Sequence, residues 1–136
     1  MAQKLAVLAT TQKEGEPWAS LIAFASSSDL KSIFFVTPTS TRKYFNLAQD
    51  PRVSLVVDNR ENTPGDFSEA VAVTANGSAV KVDLIQQREA QQIYLLKHPY
   101  LDSFVKSPSC AMIEIKVDRY NLVTRFQEVE ELHLAL

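Results

Sequence analysis

Residues 34–57 read FFVTPTSTRKYFNLAQDPRVSLVV. With Ile33 in front, IFFVT is a run of β-branched and aromatic residues, the composition that sheets favour. Thr39 or Ser40 reads as a helix N-cap, because a hydroxyl there can accept from an orphan backbone N–H. TRKYFNLA then reads as a short helix, with Tyr44, Leu47 and Ala48 near one face and Pro51 as its stop. VSLVV is the next strand. The oddity is chemical: Arg42 and Lys43 fall in the first helical turn. The macrodipole is already positive there and acidic residues are preferred, so each cation costs about 0.3–1 kcal/mol. A dianion would reverse that sign. A helix N-terminus presents free N–H groups to anions. Thr39, Ser40 and Thr41 add hydroxyls, Arg42 adds a bidentate fork and Lys43 a point charge. Two solvated cations on an exposed turn are the equally plain alternative.

Working outward, KLAVLATTQ reads as a first strand and KEGEP as a turn broken by Gly15 and Pro17. WASLIAFAS is a second strand with almost no polar position on either face. In a small protein that predicts cover on the outer face too, by a second copy of the chain. DNRENTPGDFSEA is a long polar loop, and such loops are often functional. VAVTANGSAVKV alternates with period two. It is either a hairpin turning at Asn76-Gly77 or one strand bent by a bulge at Gly77. DLIQQREAQQIYLLK predicts a helix, with Asp83 and Gln86 at capping-box spacing and Ile85, Ile93 and Leu96 sharing a face. Pro99 can open a second short helix. AMIEIKVDRYNLVTRF closes with strands. Short strands with helices inserted between some of them predict a closed or nearly closed antiparallel barrel with helices packed on it.

The 136 residues suit one domain, 1–136. Apolar residues make up 46% and charged ones 22%, with a net charge of −2 and a pI near 5.7. That balance offers no broadly basic surface for nucleic acid. No apolar run approaches the ~18–20 residues that span a bilayer, and the N-terminal stretch does not read as a signal peptide. The single cysteine excludes an internal disulfide and fits a reducing compartment, so the cytoplasm is expected. His98 and His133 are far apart and lack ligand-like neighbours, so no metal site is expected. Cys110 has only Lys106 nearby as a cation and reads better as a structural thiol than a reactive one. Three glycines, Gly15, Gly65 and Gly77, cannot spell a dinucleotide fingerprint or a phosphate loop. A nucleotide-like ligand must be held some other way.

The same stretch resembles the flavin-binding split-barrel family related to pyridoxamine 5′-phosphate oxidase. Val36-Thr37 matches that family's strand end, and Thr41-Arg42-Lys43 its serine-arginine-lysine turn. Asp50-Pro51-Arg52-Val53-Ser54-Leu55 matches the break and following strand. More weakly, LATTQKEGEPWASLIAF is similar to the family's first hairpin. VAVTANGSAVKV is similar to its glycine-containing barrel strand, which favours the bent-strand reading of Asn76-Gly77. The resemblance implies a mainly β, antiparallel split β-barrel with inserted helices, and FMN held between the subunits of a homodimer. Arg42 and Lys43 would bind the cofactor phosphate with Thr41, and Val36 and Thr37 would line the site. The second strand, around Leu21, Ile22 and Ala23, would pass along the flavin ring. Asn59 is a further candidate for the cofactor site, and with Arg60, at the base of the long polar loop, a candidate contact to the second subunit. The activity implied is that of a flavin-dependent oxidoreductase. The alternatives are a flavin-binding module without turnover, or a split barrel using deazaflavin (coenzyme F420) or haem, for which His133 is of interest. The true oxidases carry an arginine and a lysine where this chain has Leu21 and Ser26, and a glutamine where it has Ala72. Their C-terminal substrate signature has no counterpart in TRFQEVEELHLAL. The resemblance thus extends to the cofactor's phosphate end and not to the substrate apparatus, and the substrate stays open.

Overall fold

The structure, a computed structural model, describes residues 2–125 and 128–134. Eight strands form one antiparallel sheet: β1 (Leu5–Thr11), β2 (Pro17–Ala23), β3 (Ala25–Ser26), β4 (Ser32–Pro38), β5 (Arg52–Asp58), β6 (Val71–Lys81), β7 (Cys110–Thr124) and β8 (Glu128–His133). Among the described residues four α-helices interrupt them: α1 (Arg42–Gln49), α2 (Asp66–Glu69), α3 (Gln87–Lys97) and α4 (Asp102–Lys106). The sheet runs β2-β1-β5-β6-β7-β4-β3, and β8 adds to β7. Phe126, on which the expected closing strands end, lies outside the described residues.

What closes the sheet is a single strand that changes partner. Residues 17–26 break at Phe24. Before the break Pro17–Ala23 pair with β1, and after it Ala25 and Ser26 pair with β4. The two ends of the sheet path are therefore one piece of chain, and the sheet curls into a split barrel. Helix α3 fastens the break. The Tyr94 hydroxyl donates to the Ala23 carbonyl at 3.0 Å, and His98 Nε2 donates to the Phe24 carbonyl at 2.8 Å. A second device bends β6. Its register shifts between Asn76 and Gly77. A Cβ on Gly77 would collide with the Lys116 carbonyl oxygen on β7. Asn76-Gly77 is thus a bulge within one long strand, not a hairpin.

The alternation of each strand sorts its residues between two cores. Leu8, Ile22, Phe24, Ile33, Phe35, Leu55, Ile113, Ile115 and Val117 fill the barrel. Phe34, Val36 and Met112, on the opposite face of β4 and β7, pack under α3 and α4 with Val82, Ala90, Tyr94 and Val105. Two expectations about α3 are corrected here. Its buried residues are Ala90 and Tyr94, four apart, with His98 completing the row. Ile85 and Leu96 are instead 93% and 88% exposed. The helix begins only at Gln87, because the Asp83 carboxylate accepts from the Gln86 N–H at 2.8 Å and closes a separate turn before it. Ile85 sits in that turn. Leu96 is two residues past Tyr94 and so points to the opposite side. Pro99 does open a short helical turn, Pro99–Leu101, that runs into α4. Among the described residues no helix is long and apolar enough to cross a membrane.

Candidate functional site

The turn from β4 into α1 is built on hydroxyls. Thr41, not Thr39 or Ser40, is the N-cap: its side chain accepts from the Tyr44 N–H at 3.3 Å. Its hydroxyl also lies 2.7 Å from that of Thr37 and 3.0 Å from the Pro38 carbonyl. Thr37 is fully buried, so it braces the cap from beneath. Pro38 explains the displacement of the cap. Its carbonyl accepts the Thr41 N–H and both threonine hydroxyls, which holds residues 38–41 in a tight turn before the helix can start. Thr39 is drawn aside instead, its N–H donating to the Ser109 carbonyl.

Arg42 and Lys43 open α1, with no acidic residue in the first turn. Three of the chain's other arginines give a contrast. Arg52 grips Asp50 through two bonds of 3.0 and 2.7 Å and holds that carboxyl down to about 2, while Arg60 faces Asp58 and Arg119 faces Glu131. Arg42 meets no carboxylate among the described residues. Its Nη1 donates to Gln12 Oε1 at 2.9 Å, and its guanidinium lies 5.5 Å from the centre of the Trp18 ring. Both contacts are neutral, so the charge stays uncompensated. Gln12 and Trp18 are the residues that sequence reasoning missed. They stand 30 and 24 positions away and belong to no motif. No sequence signal marks them: that Trp18 stays 40% exposed beside Arg42 is visible only in the fold.

The structure brings β2 to the same rim. Trp18 is the second residue of that strand, and Leu21 lies three residues on, roughly 10 Å along it. Leu21 points outward and is 64% exposed, beside a hollow of about 520 Å³ that Val7 and Val56 also line. Ile22 points into the barrel and is buried. Ala23 is half-buried, and its carbonyl is taken by Tyr94. Burial pushes the Tyr94 phenol up to about 12, so it stays a neutral donor. Val36 faces the helical layer, away from the barrel interior. Asn59 lies apart from this cluster. It clasps the base of the 59–70 loop, its Oδ1 accepting from the Val71 N–H at 2.7 Å and its own N–H donating to the Val71 carbonyl. That loop is ordered by Asp66, whose carboxylate accepts from the N–H groups of Glu61, Asn62 and Thr63.

Two larger hollows lie away from Arg42 and Lys43. One of about 600 Å³ sits under the 59–70 loop against Val71, Ala72 and Val123. The other, of about 860 Å³, runs from Asp83 to Cys110. The cations stand on a rim, where a ligand would be held from one side only. Cys110 is half-buried, and Lys106 is paired with Asp102 at 2.9 Å. His98 is buried, with Nδ1 left without a partner. Among the described residues no three of His, Cys, Asp and Glu gather as metal ligands would.

A family model described as pyridoxamine 5′-phosphate oxidase matches residues 1–124. No curated protein matches the sequence. Among solved structures, a heme binding protein from Mycobacterium smegmatis aligns with a TM-score of 0.86 at 19% identity, over 97% of this chain and 53% of that one. This chain thus spans about half of that protein's length. A protein related to general stress protein 26, from Clostridium acetobutylicum and of the pyridoxinephosphate oxidase family, aligns with a TM-score of 0.73 at 13% identity, covering 98% and 87%. HutZ, the heme storage protein from Vibrio cholerae, aligns at 0.72 and 18%, covering 89% and 85%. At these identities the likeness is one of fold. The match across nearly the whole chain, on a split barrel with the turn described above, makes this chain a member of the pyridoxamine 5′-phosphate oxidase family.

Proposed function

We propose that the protein binds FMN between two copies of itself and acts as a flavin-dependent oxidoreductase. The observation that carries the reading is the pair Arg42 and Lys43 at the N-terminus of α1, with no carboxylate partner among the described residues. The donor set fits a phosphate. Thr41 is engaged in capping Tyr44, so its part is to shape the turn. The remaining N–H groups of the first turn have no intrahelical acceptor and are open to an anion. Arg42 and Lys43 supply the charge. The small outward residues Ala19 and Ala23, flanking Leu21, leave room along β2 for a flat ring. Bound flavin supplies the redox chemistry itself, so the chain need only bind, orient and exclude water.

The rim position of the two cations favours a site completed by a second copy, and the bare apolar face around Leu21 supports it. A haem reading draws on one feature of this chain: His133 is exposed on β8, with Nε2 3.3 Å from Glu131. The absorption spectrum of the purified protein, before and after reconstitution, separates the readings. A flavin spectrum is expected. A Soret band or a deazaflavin spectrum would overturn the proposal. Reduction by NADH or NADPH followed by reoxidation in air is expected of an oxidoreductase. A bound flavin that does neither marks a flavin store.

A further inference from the structure

We infer that Gln12 and Trp18 are positioning residues that hold the Arg42 guanidinium ready for an anion, an inference that rests on the phosphate reading above. A long surface arginine normally samples many rotamers, and fixing it on ligand arrival costs conformational entropy. Here one hydrogen bond and one ring face favour a single orientation. Gln12 engages a single one of the five guanidinium N–H donors. The others stay open for a bidentate contact. The indole attracts the cation through its ring quadrupole without adding a charge. A carboxylate in either place would hold Arg42 as well, but would cancel the charge that a phosphate seeks. Asp50 does this to Arg52.

The two clamping residues are themselves anchored. The Gln12 N–H donates to the Glu16 carbonyl at 2.7 Å, and its carbonyl accepts from Gly15, whose φ of +84° the turn requires. Trp18 stands opposite Thr10 in the β1–β2 register, and Thr10 accepts from the buried Asn46 Nδ2 at 3.0 Å. Helix α1 is therefore tied to the first hairpin twice, by Asn46 inside the barrel and by Arg42 at its rim. Anion recognition becomes a shared property of the β1–β2 hairpin and α1.

The test compares FMN with riboflavin, which lacks the phosphate. Gln12→Ala and Trp18→Leu should each weaken FMN binding by about two- to fivefold, and together by about tenfold. Riboflavin affinity should stay within about twofold of wild type, a split that a merely structural defect would not produce. Trp18→Phe should restore most of the loss. Gln12→Glu should be worse than Gln12→Ala for FMN alone, because it pairs the guanidinium. Variants that bind FMN as well as wild type, or that lose FMN and riboflavin in parallel, would overturn the inference while leaving the phosphate reading intact. A wild type that does not prefer FMN over riboflavin would overturn the reading beneath it. A ligand-free check is also available, since Trp18 is the sole tryptophan. Arg42→Ala should shift its emission, and unchanged emission would overturn the clamp itself.

Discussion

At the scale of single residues, buried hydroxyls and phenols fix the turn before α1 and the ends of the strands. Thr41 satisfies one orphan donor of α1, and Thr37 steadies it from the barrel. Thr41→Ala should cost about 1 kcal/mol of stability in urea titration. The loss should appear in α1 first, as faster amide exchange at Tyr44. Two phenols fasten the chain from inside. Tyr94 holds the Ala23 carbonyl, and Tyr120 donates to the carbonyl of Leu30 at 2.6 Å, where φ is +63°. Burial pushes both up to about 12. The sign follows from linkage. The folded state keeps these protons above pH 10, where an unfolded tyrosine begins to lose its own. Their contribution is therefore whole below about pH 10 and lost as pH rises towards 12. Absorbance at 295 nm should show two of the four tyrosines ionising late. The melting temperature should fall over the same range, and Tyr94→Phe should flatten part of that fall. Four tyrosines titrating together near 10 would contradict the burial.

At the scale of elements, the barrel depends on two irregularities: the break at Phe24 and the bulge at Gly77. Gly77→Ala sets a methyl against the Lys116 carbonyl, so the strands must part. A loss of roughly 1–3 kcal/mol is expected in urea unfolding, whereas an unchanged midpoint would mean the bulge can shift. The elements also show where sequence reading succeeds. Strands β1, β2, β4, β5 and β6 and helix α1 were legible, because each carries its own period or its own stop, such as Pro51. The bulge was legible as one of two options, since a glycine amid alternation marks a turn or a kink and only the partner strand decides which. The start of α3 was not legible. Asp83 caps equally well in a lone turn or a helix, and the apolar Ile85 suggested burial that the turn withholds. Nor was the change of partner at Phe24, since nothing local distinguishes one strand with two neighbours from one strand with one. The clamp on Arg42 was hidden for the same reason. A pairing across 30 residues leaves no mark on either segment.

For the whole molecule, the decisive asymmetry lies between the two outer faces of the barrel. Helices α3 and α4 cover β4 and β7, and bury Phe34, Val36 and Met112. Among the described residues no helix covers the outer face of β2, β1 and β5, where Leu21, Leu5 and Val56 are 64%, 54% and 36% exposed. A homodimer through this face is expected, and light scattering should give about twice 15.2 kDa at micromolar concentration. Leu21→Glu should shift the protein towards the monomer. A wild-type mass near 15.2 kDa would contradict the shared site. On the proposed function, α1 holds a phosphate through Arg42 and Lys43. Each charge-assisted contact contributes roughly 1.5–3 kcal/mol, so losing both should weaken binding by about two to four decades. Folding should change little, because relief of repulsion at the helix N-terminus offsets the contacts that Arg42 makes with Gln12 and Trp18. The measurement is an FMN titration of the Arg42→Ala/Lys43→Ala protein beside wild type, with the melting temperature of both in the absence of ligand. The double variant should melt within a few degrees of wild type and fail to retain FMN. A double variant that stays yellow through purification would contradict the phosphate reading.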